Sequence, residues 1–248
     1  MAAPALPWPA ADRRSEALRR TLDLAIAVPA LVLSSPLLGL MCLAIRLDSP
    51  GPVIYRQRRI GRNGRPFTIY KLRTMVDGAE RIGSGLVLQE HDERITRVGR
   101  LLRRYSLDEL PNLWNVVRGE MSIVGPRATL PYQVEQYSER QRRRLALKPG
   151  ITGWAQVNGR ASLPWEQRIE LDLWYLEHRS LRLDLKIIAR TVLLVARGHG
   201  IHRGRYPAWH PPAGGGGQAA TGHEGAGQPD SDREGQAASG REGGGATR

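Results

Sequence analysis

A chain of 248 residues has room for one ordinary domain and some added segments, and 37 Lys plus Arg against 24 Asp plus Glu leave a formal net charge of +13, a balance suited to polyanions such as nucleic acid, anionic lipid headgroups or phosphorylated small molecules. The single cysteine, Cys42, excludes an internal disulfide framework and lies in apolar sequence, where it serves as a small packing or lipid-facing residue. Nothing in the composition argues for an oxidising compartment.

A basic segment over residues 1–21 precedes the first element. From Leu22 to Ile45 the run LDLAIAVPALVLSSPLLGLMCLAI carries one charge, Asp23, and is long and apolar enough to read as a membrane helix. Pro29 and the Ser34-Ser35-Pro36 triplet interrupt it, and a proline inside a helix removes a backbone donor. Nearby serine hydroxyls are candidate donors for the freed carbonyls. Arg13, Arg14, Arg19 and Arg20 flank one end, and Arg46, Arg56, Arg58 and Arg59 the other. Positive charge marks the cytoplasmic side, so a segment basic at both ends is best satisfied by entering and leaving through one face. The expectation is a re-entrant helix over 22–46. A cleavable signal peptide would have a shorter apolar core and a small-residue cleavage site, whereas Arg46-Leu47-Asp48 follows here. A straight span and a buried core helix stay open.

Beyond the turn Ser49-Pro50-Gly51-Pro52, the runs Val53-Ile54-Tyr55 and Phe67-Thr68-Ile69-Tyr70 flank Gly61-Arg62-Asn63-Gly64, the pattern of a small β-hairpin. Its basic residues read as a solvated or headgroup-facing surface, with Lys71 and Arg73 the ones expected to point inward. Arg81 to Glu93 reads as a mobile polar loop. A helix follows around Val98, Leu101 and Leu102. Next come adjacent acids, Asp108 and Glu109, between an arginine run and the Gly125-Pro126-Arg127 turn. Ser106 with Glu109 fits a capping box, so the acids have a plain reading as a helix start; Pro111 suits a later start, near Glu109, better. A helix N-terminus also attracts phosphate, so the two readings are compatible.

Lys148 to Arg160 reads as a Gly-dense loop that lacks the Lys and Ser/Thr of a P-loop. Trp165, Trp174 and Tyr175, then Leu181 to Ala196, lie on amphipathic helices suited to core packing or to anchoring at a membrane interface. Residues 206–248 are Gly-rich without apolar periodicity, an expected disordered tail. The expected fold class is α+β and mainly helical: a monotopic membrane protein whose residues 47–205 form a catalytic domain on the cytoplasmic face.

Four ordered runs, Ser35-Pro36 in the apolar segment, SPGPVIYRQRRIGRNGRPFTIYKLRTM, ITRVGRLLRRYSLDELPNLWNVVRGEMSIVGPR and KPGITGWAQVNGR, resemble the bacterial sugar transferase family, the monotopic phosphoglycosyl transferases. That resemblance implies transfer of a sugar-1-phosphate from a UDP-sugar to undecaprenyl phosphate through a covalent aspartyl-phosphosugar intermediate, with release of UMP, at the cytoplasmic face of a bacterial inner membrane. It implies Asp108 as nucleophile with Glu109 assisting, both near a required Mg²⁺, phosphate contacts from Arg103, Arg127 and Arg160 beside Lys71 and Arg73, and a helix break at Ser35 and Pro36. Anionic headgroups are expected partners and nucleic acid is not. The match departs at Ala128, where the family commonly has proline, and at Glu120, where it often has Asp. A basic scaffold or nucleic-acid-binding protein on a membrane anchor is the alternative from another class, and its binding would fall steeply with salt and ignore the acidic pair.

Overall fold

The protein is represented by a computed structural model that describes residues 13–82, 92–159 and 163–197. Most of the expected polar loop from Arg81 to Glu93, Arg160, and the expected tail over 206–248 lie outside the described residues. The elements in chain order are α1 (Arg13–Asp48), β1 (Ile54–Ile60), β2 (Pro66–Leu72), α2 (Arg97–Arg104), α3 (Asn112–Val117), β3 (Ser122–Val124), α4 (Pro131–Glu135), α5 (Glu139–Arg142), β4 (Gly150–Thr152), α6 (Trp154–Val157), α7 (Trp165–His178) and α8 (Leu181–Ala196). The result is mainly helical, with two small two-stranded sheets.

The apolar run lies in α1, which begins at Arg13 and ends at Asp48, well before and slightly beyond the expected 22–46. Pro29 and Pro36 sit inside it, and the residues on both sides of each stay helical. Pro36 has no N–H for the carbonyl of Val32, the acceptor four residues earlier. The Ser35 hydroxyl donates to that carbonyl at 2.7 Å and so replaces the donor that the proline removes, while Ser34 donates to the neighbouring Leu31 O at 3.3 Å. This helix is long and apolar enough to cross a membrane by length and composition.

Both ends of α1 dock on the same body. Near its start Ala27 is fully buried in the main core, which α3, β3, α6, α7 and α8 build around Val116, Ile169, Leu173 and Ile187. Near its end Met41 and Ile45 pack on Leu72 of β2 and Leu102 of α2, and Asp48 Oδ2 accepts from the Val98 N–H at 2.9 Å. Between these seats α1 presents a bare apolar face: Leu33 is 80% exposed, Leu40 66% and Val32 64%.

β1 and β2 form the expected hairpin, with Tyr55 opposite Lys71 and Arg59 opposite Phe67. Its turn is Gly61 to Gly64, where Asn63 takes a left-handed conformation (φ 55°), one that Asn tolerates better than most residues. The Gly-dense stretch after Lys148 departs from the loop reading: it contains β4, parallel to β3 with Ser122 opposite Gly150, and then α6. Its glycines serve strand contact. A Cβ on Gly150 would lie 2.1 Å from the Gly125 nitrogen, and one on Gly125 2.4 Å from Lys148 O, so two backbones meet where no side chain fits. Of the amphipathic helices, α7 is a packing element, with Tyr175 buried against Asp184 at 2.5 Å and Trp174 stacked on Trp154 at 4.9 Å between centroids. α8 buries Ile187 yet leaves Leu185, Val192 and Leu193 exposed.

A buried ion pair, Arg144 with Asp172, ties the segment after α5 to α7. Burial pushes the Asp172 carboxyl up to about 6, with Arg144 pulling it back. A folded-state value above the unfolded one means that this group favours the fold most below the unfolded value, and that the contribution is lost as pH rises through the folded value. Arg144→Met strands the charge and extends that window upward. The variant is expected to lose about 3 kcal/mol near pH 8 and clearly less near pH 5, where Asp172 is neutral; thermal unfolding of detergent-solubilised protein at the two pH values measures this.

Candidate active site

The acidic pair is placed by a tight reversal of the chain. Helix α2, capped by the Thr96 hydroxyl accepting from the Gly99 N–H, ends at Tyr105. Ser106 then adopts a left-handed conformation (φ 54°), costly for a residue with a side chain and found where neighbouring structure over-determines it. Residues Leu107–Glu109 form one 3-10 turn, and α3 starts only at Asn112, behind Pro111. The capping-box reading therefore fails: the Ser106 side chain caps nothing. The start near Glu109 expected from Pro111 is not adopted either: Leu107–Glu109 is a separate 3-10 turn, and α3 begins three residues later with the proline as its N-cap. The turn drives both acids inward, leaving Asp108 4% and Glu109 9% exposed.

The two carboxylates meet different surroundings. Lys71 Nζ donates to Glu109 Oε1 at 2.6 Å and Arg127 Nη2 donates to the same oxygen at 3.0 Å. Burial alone would raise Glu109; Lys71 and Arg127 outweigh it and hold this carboxyl well below the usual range. Asp108 has no such clamp. Its Oδ1 is buried with no hydrogen-bond partner, and burial followed by the adjacent Glu109 charge raises its pKa. The nearest compensation comes from Lys71, Arg103 and Arg127, which pull the other way. Arg103 is aimed by its Nε donating to Thr74 Oγ1 at 2.7 Å, and its Nη1 is buried without a partner. Lys71 is in turn set by its strand, because the Tyr70 N–H beside it donates to Asn112 Oδ1 at 3.2 Å.

Of the residues expected here from sequence, Asp108, Glu109, Lys71, Arg103 and Arg127 are brought together. Arg73 is buried and engaged elsewhere: it donates to Pro50 O at 2.6 Å and Ser49 O at 2.7 Å, tying the turn after α1 to β2. Arg160 lies outside the described residues, and Ser35 and Pro36 lie in exposed positions on α1. A further cation was missed. Arg59 donates to Ala128 O at 3.0 Å and to Gln57 Oε1 at 2.8 Å; burial, then the charge of Arg127, pushes it down to about 10. Strand alternation carried the signal, since Arg59 shares a face with Tyr55, the partner of Lys71, while Arg56 and Arg58 point to solvent. Arg168 on α7 is also close enough to Arg127 to feel its charge.

Two adjacent carboxylates with one buried, unpartnered oxygen suit a hard divalent cation that takes oxygen ligands and completes its shell with phosphate and water. Among the described residues no group of three or more His, Cys, Asp or Glu side chains could hold a metal ion, so such an ion would rest on Asp108 and Glu109 with oxygens of the ligand and water for the rest of its shell. With Lys71, Arg59, Arg103 and Arg127 around them, the acids sit in an arrangement whose chemistry suits a ligand with more than one negative charge.

A sequence profile of the family described as "Bacterial sugar transferase" matches residues 14–198. The chain is 45% identical over 186 residues to the uncharacterized sugar transferase EpsL of Bacillus subtilis, covering 75% of this chain and 91% of that one. It is 46% identical over 198 residues to a UDP-glucose:undecaprenyl-phosphate glucose-1-phosphate transferase of Caulobacter vibrioides, covering 75% and 71%. With an undecaprenyl-phosphate galactose phosphotransferase of Salmonella typhimurium the identity is 36% over 206 residues, 77% of this chain but 43% of the other, so the chain spans less than half the length of that relative.

The pairing of Lys71 with Glu109 is expected to govern stability as well as chemistry. Removing Lys71 leaves the buried Glu109 charge with Arg127 as its one direct cationic partner, so Lys71→Met should lose about 2 kcal/mol. The double variant Lys71→Met/Glu109→Gln is expected to recover at least half of that loss, since both charges go together. Thermal unfolding of the two single variants and the double variant measures the coupling; simple additivity would mean the two side chains act independently.

Proposed function

Because the chain belongs to the bacterial sugar transferase family, we propose that it is a phosphoglycosyl transferase that moves a sugar-1-phosphate from a UDP-sugar to undecaprenyl phosphate, an early membrane step in building a bacterial surface glycan. The observation that carries this reading is the inequality of the acids. Glu109 is clamped between Lys71 and Arg127, while the neighbouring Asp108 keeps a carboxylate oxygen free of any protein donor.

In this reading Asp108 Oδ1 attacks the phosphorus that bears the sugar. The bond from that phosphorus to the bridging oxygen breaks, and UMP leaves with the bridging oxygen and its electron pair. Asp108 then carries the phosphosugar as an acyl phosphate. A phosphate oxygen of the lipid attacks the same phosphorus, the bond to Asp108 breaks, and the carboxylate is restored with the sugar on a lipid diphosphate. Arg127, Arg103 and Arg59 oppose the negative charge on the transferred and leaving phosphates, where planar guanidinium donors suit paired phosphate oxygens. Glu109, held ionised, fixes Lys71 and Arg127 in place, and its charge beside Asp108 raises the basicity of the attacking carboxylate. Asp108 and Glu109 are the residues that would hold Mg²⁺, which would supply charge neutralisation on the diphosphate.

The same reading gives α1 a place. Both of its ends dock on the body that carries the acids, and the face between them is bare and apolar. The docking of both ends favours a helix that enters and leaves a bilayer from one side, without a break in its helical residues at Pro36, and with the exposed apolar residues of α8 resting at the interface. Such a seat holds the acids at headgroup height on the cytoplasmic side, where a soluble nucleotide sugar and a lipid phosphate both arrive.

Purified full-length protein should release UMP from at least one member of a UDP-sugar panel when given undecaprenyl phosphate, and Asp108→Asn should reduce the rate by at least about 10³-fold while the variant stays folded and membrane-bound. Without lipid phosphate, release is expected to stop near one equivalent, with the phosphosugar mass on the peptide containing Asp108. Chelation by EDTA should halt release and added Mg²⁺ restore it. A folded, active Asp108→Asn protein would remove the nucleophile assignment.

The topology has its own test. In a Cys42→Ala background, Ala17→Cys and Pro52→Cys are both expected to escape a membrane-impermeant maleimide in intact cells and to react after lysis. Labelling of the Ala17→Cys protein in intact cells would show a straight span instead.

A further inference from the structure

Asp23 is the one charged residue in the apolar run from Leu22 to Ile45, and it is 5% exposed. A carboxylate within a membrane helix is costly unless it is paired, and its partner points to its purpose. Here Oδ1 accepts from Ser122 Oγ at 2.8 Å and from the Ile123 N–H at 2.8 Å. Both donors lie at the start of β3. From that point to Arg127 the chain is pinned by backbone bonds: the Gly125 N–H donates to Thr152 O at 2.9 Å, and the Gly150 N–H donates to Pro126 O at 2.8 Å. The next residue is Arg127, whose guanidinium reaches Glu109 at 3.0 Å. A neighbouring contact steadies the same face of α1, where Arg20 Nη2 donates to Val117 O at 2.8 Å. For anchoring alone a leucine would serve α1 as well or better. The carboxylate instead grips the strand that leads into Arg127.

We infer that Asp23 is a positioning residue for the transfer reaction: it couples the seat of α1 through β3 to the placement of the Arg127 guanidinium. This rests on the functional reading given above for Arg127 and the acidic pair. Asp23→Asn keeps the size of the side chain and an oxygen able to accept from both donors. Asp23→Leu leaves the Ile123 N–H and the Ser122 hydroxyl without an acceptor, lets the start of β3 shift, and moves Arg127 with it. Small displacements of a positioning group cost rate steeply.

The test is a double-mutant cycle on the full chain in nanodiscs, read as kcat/KM for UMP release. Asp23→Leu is expected to cost at least about tenfold in the native background and under about twofold in an Arg127→Lys background, because the arginine it positions is already lost. Asp23→Asn should keep activity within about threefold. Equal losses from Asp23→Leu in both backgrounds overturn the inference, since Asp23 would then act only through general stability. Should Asp23→Leu fail to fold, Ser122→Ala removes one of the two donors and is expected to show the same pattern at about threefold. Amide hydrogen exchange supplies a readout independent of turnover: residues 122–127 should lose protection in Asp23→Leu and keep it in Asp23→Asn. Loss of protection spread through α7 and α8 as well would overturn the coupling. Absence of UMP release by the native protein would count against the functional reading alone, with exchange still judging the clamp.

Discussion

Two adjacent carboxylates withdrawn from water repel each other and lose hydration, and the surrounding architecture answers that one constraint. Neither acid can stay ionised without fixed positive charge nearby. Lys71 comes from the end of a hairpin strand, Arg103 from α2 and Arg127 from the segment after β3. No pair of sequential elements could supply all three, so the hairpin, α2 and the β3–β4 pair must be packed before the acids are tolerable. The compensation is deliberately uneven. Placing two donors on one oxygen of Glu109 and none on Asp108 Oδ1 separates the two groups electrostatically, which is how a pair of identical chemical groups acquires different roles.

Helix α1 extends the same logic to the membrane segment. Its first third is fastened by charge and hydrogen bonds: Arg19 to Asp184 at 2.9 Å, Asp23 to β3, and Glu16 to Arg62 and Arg179. Its last third is fastened by apolar packing of Met41 and Ile45. The bare middle therefore cannot leave the body without breaking polar contacts at one end and burial at the other. A segment that hydropathy alone describes as an independent span is mechanically part of the catalytic body, and what happens at its seat is felt at β3.

How far the sequence reveals this depends on how many meanings a residue pattern has. The hairpin was readable because β-branched and aromatic runs around Gly61-Arg62-Asn63-Gly64 admit few other structures. The serines beside Pro36 were readable because the lost donor has a fixed acceptor, Val32 O, within reach of Ser35. The glycines of Lys148 to Arg160 were misread because close backbone approach and loop flexibility call for the same residue, and only the partner strand distinguishes them. Ser106 looked like a cap because the Ser-x-x-Glu spacing is local, whereas its left-handed turn is imposed by the packing of α2 and α3. Lys71 and Arg73 looked equivalent, two residues apart at a strand end. Only the fold shows that the first reaches Glu109 and the second closes on the turn after α1. Asp23 was visible only as a lone charge, because its donors lie a hundred positions away in sequence.

The large positive charge takes on a different meaning once the contacts are known. Read from composition, it suggests a surface for polyanions. In the fold many arginines are structural ties: Arg20 and Arg73 donate to backbone carbonyls, Arg19, Arg62, Arg144 and Arg179 pair with carboxylates, and Arg94 closes on Asp92 while also holding Ala79 O and Ile82 O. A guanidinium suits this work because its fixed fork satisfies several acceptors at once and stays ionised when buried. Among the described residues, Lys71, Arg59, Arg103 and Arg127 gather around Asp108 and Glu109, where they outnumber the two acids, while others such as Arg56, Arg58 and Arg104 stay exposed. Four cations set around two buried acids suit a compact ligand with more than one negative charge. The cluster beside the acids, more than the total charge, is what favours a phosphorylated small substrate.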